Sequence, residues 1–166
     1  MKRIAQGGLF VAVALVLSLI EKLFPLQAVI PIPGIKLGLA NVVTLFALTV
    51  LGTRQAVTIL LCRVTLAAIF MGSITGFLFS LFGGLLALLV MRLLLLREGR
   101  WFSLVGISIG GAAAHNIGQI AAAMLTLGTF DVLGYLPLLL LSAIPMGFVT
   151  GLTAFAVLGH LKKIQF

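Results

Sequence analysis

The chain has 166 residues, of which 62% are hydrophobic and 8% charged, and its mean hydropathy is +1.33. A soluble domain of this length needs a far more polar surface, so the composition excludes one and predicts an integral membrane protein. The formal charge of +8 would suggest nucleic acid in a soluble protein, but here the Lys and Arg residues cluster at the ends of apolar segments, and no nucleic-acid partner is expected. Cys62 is the only cysteine, which rules out an intramolecular disulfide or a multi-cysteine metal site.

The pattern predicts an all-α bundle of six transmembrane helices in a single domain, residues 1–166, with the lipid bilayer as solvent. The apolar segments run near 4–20, 37–52, 56–71, 75–96, 103–127 and 137–160. The first follows Lys2-Arg3 and is expected to be a retained helix rather than a secretory signal, because five further spans follow it. Gly8 and Ala12 form a stripe of small residues on it, and Ala14 and Ser18 a second stripe on another face. Either could seat a neighbouring helix.

Between the first two spans, Glu21 to Lys36 contains Pro25, Pro31 and Pro33 with Gly34, which is stiff and non-helical. It reads either as a plain turn or as a lid over a pocket, and its length favours the lid. Asn41 and Thr44 lie in the outer turns of the second span, just below Lys36. Gly52-Thr53-Arg54-Gln55 is expected to be the turn into the third.

Arg63 stands inside the third span, where a charge costs roughly 2.5–3.5 kcal/mol near a helix centre. Nine residues from Arg54, it is roughly 13 Å deep at the helical rise per residue. Glu21 and Asp131 are placed outside the membrane, so no carboxylate is expected beside Arg63. Its partner should be a polar cavity or an anionic ligand.

In the fourth span Gly76, Ser80 and Gly84 recur every four residues, as do Ala143, Gly147 and Gly151 in the sixth, where Pro145 should introduce a bend. Both stripes suit internal packing. The fifth span carries His115 and Gln119 on one face with Asn116 beside them, about 18 Å or more from Ser103. These residues could satisfy one another across helices, or with Arg63, Lys36 and Asn41 line a substrate pocket in the outer half. His160 is expected at the inner interface.

Basic residues set the orientation. With both termini cytoplasmic, Lys2, Arg3, Arg54, Arg92, Arg97, Arg100, Lys162 and Lys163 are inside and only Lys22 and Lys36 outside, which satisfies the positive-inside rule.

The run Pro31-Ile32-Pro33-Gly34-Ile35-Lys36-Leu37-Gly38-Leu39-Ala40-Asn41, with Ala114-His115-Asn116-Ile117-Gly118-Gln119, resembles the bacterial Gx transporter family, also described as heptaprenyl diphosphate synthase component I. That family in turn is similar to the substrate-binding S components of energy-coupling factor (ECF) transporters. The resemblance implies a bundle in the bacterial plasma membrane that captures a small molecule from outside, an isoprenoid, quinone or flavin-related compound. It also implies docking through Gly8 and Ala12 on a transmembrane coupling protein driven by two cytosolic ATPases. No cofactor or metal is expected. A prenyl synthase needs aspartate-rich clusters to hold magnesium, and this chain has one aspartate, Asp131, so it should not be catalytic. A membrane accessory subunit of an isoprenoid or quinone enzyme is the alternative function, and a structural subunit of a larger complex is a third.

Overall fold

The computed structural model describes residues 2–21, 23 and 36–164. The regular elements among these residues are helices: α1 (Lys2–Glu21), α2 (Asn41–Val50), α3 (Thr53–Met71), α4 (Ile74–Leu95), α5 (Leu104–Leu127) and α6 (Leu136–Ile164). A short 3-10 turn, Asp131–Tyr135, leads into α6. The expected lid lies outside the described residues, apart from Glu21, Leu23 and Lys36.

The ends of the long helices follow from local chemistry. Ser73 and Ser103 accept the backbone N–H groups of Gly76 and Gly106 at 3.0 and 3.1 Å, which caps α4 and α5. Gly72 and Gly128 close α3 and α5 with left-handed backbone, where a side chain would be strained. The turn before α3 is shorter than expected: Gly52 alone takes positive φ, and Thr53, Arg54 and Gln55 already belong to the helix.

The second helix departs most from expectation. It begins at Asn41 rather than near residue 37, because Gly38 sits at φ 84° and the chain from Lys36 to Ala40 is a non-helical strap. At ten residues α2 is only about 15 Å long. It is nevertheless the innermost element, with Asn41, Val43, Thr44, Leu45, Phe46, Ala47 and Leu48 all buried. Burial on nearly every face explains why so short a helix needs no amphipathic pattern.

Helices α4, α5 and α6 share the most extensive interfaces, and α1 leans on α3. Small residues permit this. A Cβ on Gly118 would lie 2.6 Å from the Phe82 carbonyl oxygen and 2.7 Å from Gly83 Cα, so α5 meets α4 backbone to backbone. On α6, Gly147 and Gly151 approach Ile109 and Val105 of α5 in the same way, and Ala143 is buried. The sixth-span stripe is therefore internal packing. Ser108 and Thr150 add a buried hydroxyl pair at 2.8 Å across the same interface. The helix α6 runs continuously through Pro145.

Two apolar clusters result. One gathers Val43, Leu45, Leu60, Val64, Leu88, Met91 and Ile107; the other gathers Phe79, Ile120, Ala123, Val132 and Leu139. Between the two clusters lie Ser80, Gly83 and Gly84 of α4 and His115, Asn116, Gly118 and Gln119 of α5, a polar and glycine layer. The outer faces carry exposed Leu9, Ile69, Phe70, Leu125, Leu141 and Phe155. Among the described residues three helical segments, Thr53–Phe70, Ile74–Leu95 and Asp131–His160, are long and apolar enough to cross a membrane.

Candidate functional site

The layer between the apolar clusters brings together the polar residues that stand alone in their apolar runs. Arg63 of α3, His115 of α5 and Asn41 of α2 are 5%, 3% and 2% exposed. The Gly83-Gly84 pair of α4 makes room for two of them. A Cβ on Gly83 would lie 2.8 Å from His115 Nδ1, and one on Gly84 would lie 3.5 Å from Arg63 Nη2. Gly38 of the strap closes on the other edge of the imidazole, where a Cβ would lie 3.1 Å from His115 Cδ2 and 2.8 Å from Asn41 Nδ2. The His115 ring is thus clamped between two glycines on different elements.

Hydrogen bonding divides the six expected ligand contacts into two groups. Gln119 holds the strap: its Oε1 accepts from Lys36 N–H at 2.7 Å and its Nε2 donates to the Lys36 carbonyl at 2.8 Å. This reciprocal pair copies the pattern of a strand neighbour with a side-chain amide. Lys36 Nζ donates to Ser80 Oγ at 2.8 Å, and Ser80 donates in turn to the Gly76 carbonyl. Asn116 donates to the Leu139 carbonyl at 2.6 Å, which ties α5 to α6, and its Oδ1 receives a longer bond of 3.4 Å from Gln119. Gln119, Asn116 and Lys36 therefore build the enclosure.

The second group is left open. Both polar atoms of the Asn41 amide, Arg63 Nη2 and both His115 nitrogens are buried without a hydrogen-bond partner among the described residues. The Gly83 backbone lies near the imidazole, but no aligned hydrogen bond forms. Among the described residues Arg63 Nη1 reaches only Ser18 Oγ, at 3.4 Å. Buried polar groups are nearly always paired, and each unpaired one costs about 1–3 kcal/mol. Five such atoms lie on three helices in this one layer.

One expectation is corrected here. Glu21 does not stand outside the site but is 4% exposed at the end of α1, where its Oε1 accepts the Leu39 N–H at 2.8 Å. Lys36 and Arg63 are the charges that face it. The strap recruits this carboxylate, and no pattern within α1 could have shown that. Ser18 and Ser80 were missed as well, since single serines in apolar helices most often bond their own preceding turn, as both also do here.

The two stripes on α1 separate cleanly. Ala14 and Ser18 are buried, whereas Gly8 and Ala12 are exposed and a Cβ on Gly8 would meet nothing within 4 Å. On α4 the stripe is internal, but it is Gly83, between its members, that meets α5. His160 and Cys62 are exposed. An apolar groove of about 630 Å3, lined by Phe102, Val105, Leu152, Phe155 and Leu158, lies at the start of α5, away from the polar layer.

The Gln119 latch makes a testable prediction. Two neutral hydrogen bonds at about 1 kcal/mol each imply that Gln119→Leu speeds amide exchange at Lys36 by roughly 30-fold, because the strap lifts more often. Hydrogen–deuterium exchange resolved to residues 36–40 reads this directly. Unchanged protection at Lys36 would mean the strap is held by other contacts.

No curated protein and no solved structure matches the chain. The family model described as heptaprenyl diphosphate synthase component I matches residues 10–157, a stretch that includes the polar layer and the strap. The chain therefore belongs to the heptaprenyl diphosphate synthase component I family.

Proposed function

We propose that this chain is a six-span membrane protein with both termini cytoplasmic that serves as the substrate-binding component of an ECF-type transporter. It captures a small anionic or oxygen-rich, partly apolar molecule from the outer side. One observation carries this reading above the rest: the unpaired atoms of Arg63, His115 and Asn41 converge in a sealed layer. A protein that uses polar residues only for packing pairs them with one another, as Gln119, Asn116 and Lys36 do. The outward Leu, Ile and Phe side chains and the eight-to-two asymmetry of basic residues support insertion in that orientation.

The bound molecule has Arg63 as its charge partner and the His115 and Asn41 groups as its orienting contacts. The strap, with Lys36 fixed by Gln119 and Ser80, forms one wall of the layer. Chemistry on the substrate is not part of this role, since the only aspartate, Asp131, lies beside Thr129 at the start of the 3-10 turn and no aspartate-rich motif exists. The family description favours a second reading. "Component I" implies another synthase component as partner, and the chain would then hold a prenyl substrate for a soluble enzyme.

The exposed Gly8 and Ala12 face separates the two. A flat outward stripe lets a partner helix approach closely. Gly8→Leu and Ala12→Leu should leave the fold intact, because both positions point away from the bundle. They should reduce recovery of a transmembrane coupling protein and its ATPases at least tenfold when the tagged chain is purified from its native membrane. Recovery of a soluble prenyl synthase with no ATPase would favour the accessory-subunit reading.

A further inference from the structure

Each polar atom left open in a buried layer fixes what its partner must supply. Arg63 Nη2 can only donate, whereas the Asn41 amide presents a donor, Nδ2, and an acceptor, Oδ1. The two open nitrogens of His115 add one of each when the ring carries a single proton. The Asn41 acceptor is present in every case, because turning the amide over exchanges its two atoms and still leaves one oxygen. Asn41 is 2% exposed, so bulk solvent does not serve it.

Three glycines show that these groups are neighbours. A Cβ on Gly38 would lie 2.8 Å from Asn41 Nδ2 and 3.1 Å from His115 Cδ2, so the amide and the imidazole stand side by side. On α4 the consecutive residues Gly83 and Gly84 abut His115 and Arg63 in turn. One head group can therefore meet the Arg63 donor and an acceptor on Asn41 or His115. A simple carboxylate, an ionised phosphate and a quinone carbonyl all consist of acceptor atoms. Each pairs the guanidinium and leaves the Asn41 oxygen buried and unpaired.

We propose that the ligand of this layer carries a hydrogen-bond donor, a hydroxyl or N–H group, next to its acceptor oxygen, and that the layer selects such a head group over one made of acceptors alone. This rests on the reading of the layer as a ligand site. It narrows the oxygen-rich molecule to the class of hydroxy acids and amides, with the acceptor oxygen on Arg63 Nη2 and the donor on Asn41 Oδ1 or the unprotonated nitrogen of His115. Sites built around a substrate hydroxyl reject the analogue that lacks it, because the protein's own polar group is then stranded.

The test uses palmitic acid and its 2-hydroxy derivative, which share a tail and a carboxylate and differ in one hydroxyl. Both are titrated by microscale thermophoresis into the full chain in detergent micelles. The hydroxy acid should bind wild type at least tenfold tighter. An Asn41→Leu, His115→Leu double variant, which has lost the open acceptors, should bind the two acids equally. Thermal unfolding verifies that this variant is folded, and the wild-type ratio decides the matter even if it is not. Equal binding of the two acids to wild type, weakened for both in Arg63→Ala, would overturn the donor requirement and leave the site standing. Binding of both acids unchanged by Arg63→Ala, or no binding of either, would overturn the site reading and the donor requirement together.

Discussion

Arg63→Ala should weaken binding of an anionic, partly apolar ligand, with farnesoic acid as the probe, by about 100-fold while leaving the bundle folded. A hydrogen bond to a charged group contributes about 1.5–3 kcal/mol, and each 1.4 kcal/mol is a factor of ten in affinity. The fold should tolerate the change, because within the described residues the guanidinium makes only a 3.4 Å contact with Ser18 and leaves Nη2 unpaired. Lys36 remains to face the Glu21 carboxylate. Arg63→Lys should recover part of the loss, since an ammonium keeps the charge but lacks the fork of donors. Wild-type affinity in Arg63→Ala would show that the open guanidinium nitrogen serves no ligand.

Gly118→Ala should have a large effect on stability, a loss of about 3 kcal/mol, at the upper end of the range for overpacked interiors. The added Cβ would lie 2.6 to 2.8 Å from the Phe82 carbonyl oxygen and the Gly83 Cα and N, all backbone atoms with no rotamer to yield. The two helices must move apart, and the Gly83 clamp on His115 moves with them. Gly134→Ala is the control, because a Cβ there meets nothing within 4 Å. Circular dichroism melts in detergent should show Gly118→Ala several degrees below wild type and Gly134→Ala at the wild-type value. Equal melting of the two variants would mean that α4 and α5 are not in backbone contact.

Much of this architecture was legible in the residues, for identifiable reasons. The spans that became α4 and α5 fell within about a residue of their expected limits because Ser73, Ser103, Gly72 and Gly128 punctuate them locally. Residues 37–40 read as helix because they are apolar or small, yet they form a strap. Their backbone is held by Gln119, 83 residues from Lys36, and by Glu21, and such partners leave no trace in local pattern. Arg63, His115, Asn116 and Gln119 stood out because polar residues are rare in these helices. Which of them fasten the enclosure and which remain open depended on acceptors supplied by the backbone of Lys36 and Leu139. Glu21 escaped notice because it ends an apolar run, a place where most carboxylates meet water.

The central claim is that the buried layer holds a small molecule. Native mass spectrometry of the full chain, gently extracted from its own membrane, tests it most directly when wild type is compared with a His115→Leu, Asn41→Leu double variant. Wild type should carry a single retained species that dissociates on collisional activation, and the variant, which lacks the open atoms of His115 and Asn41, should fly without it. A bare wild-type protein, or an adduct retained equally by both, would contradict the account.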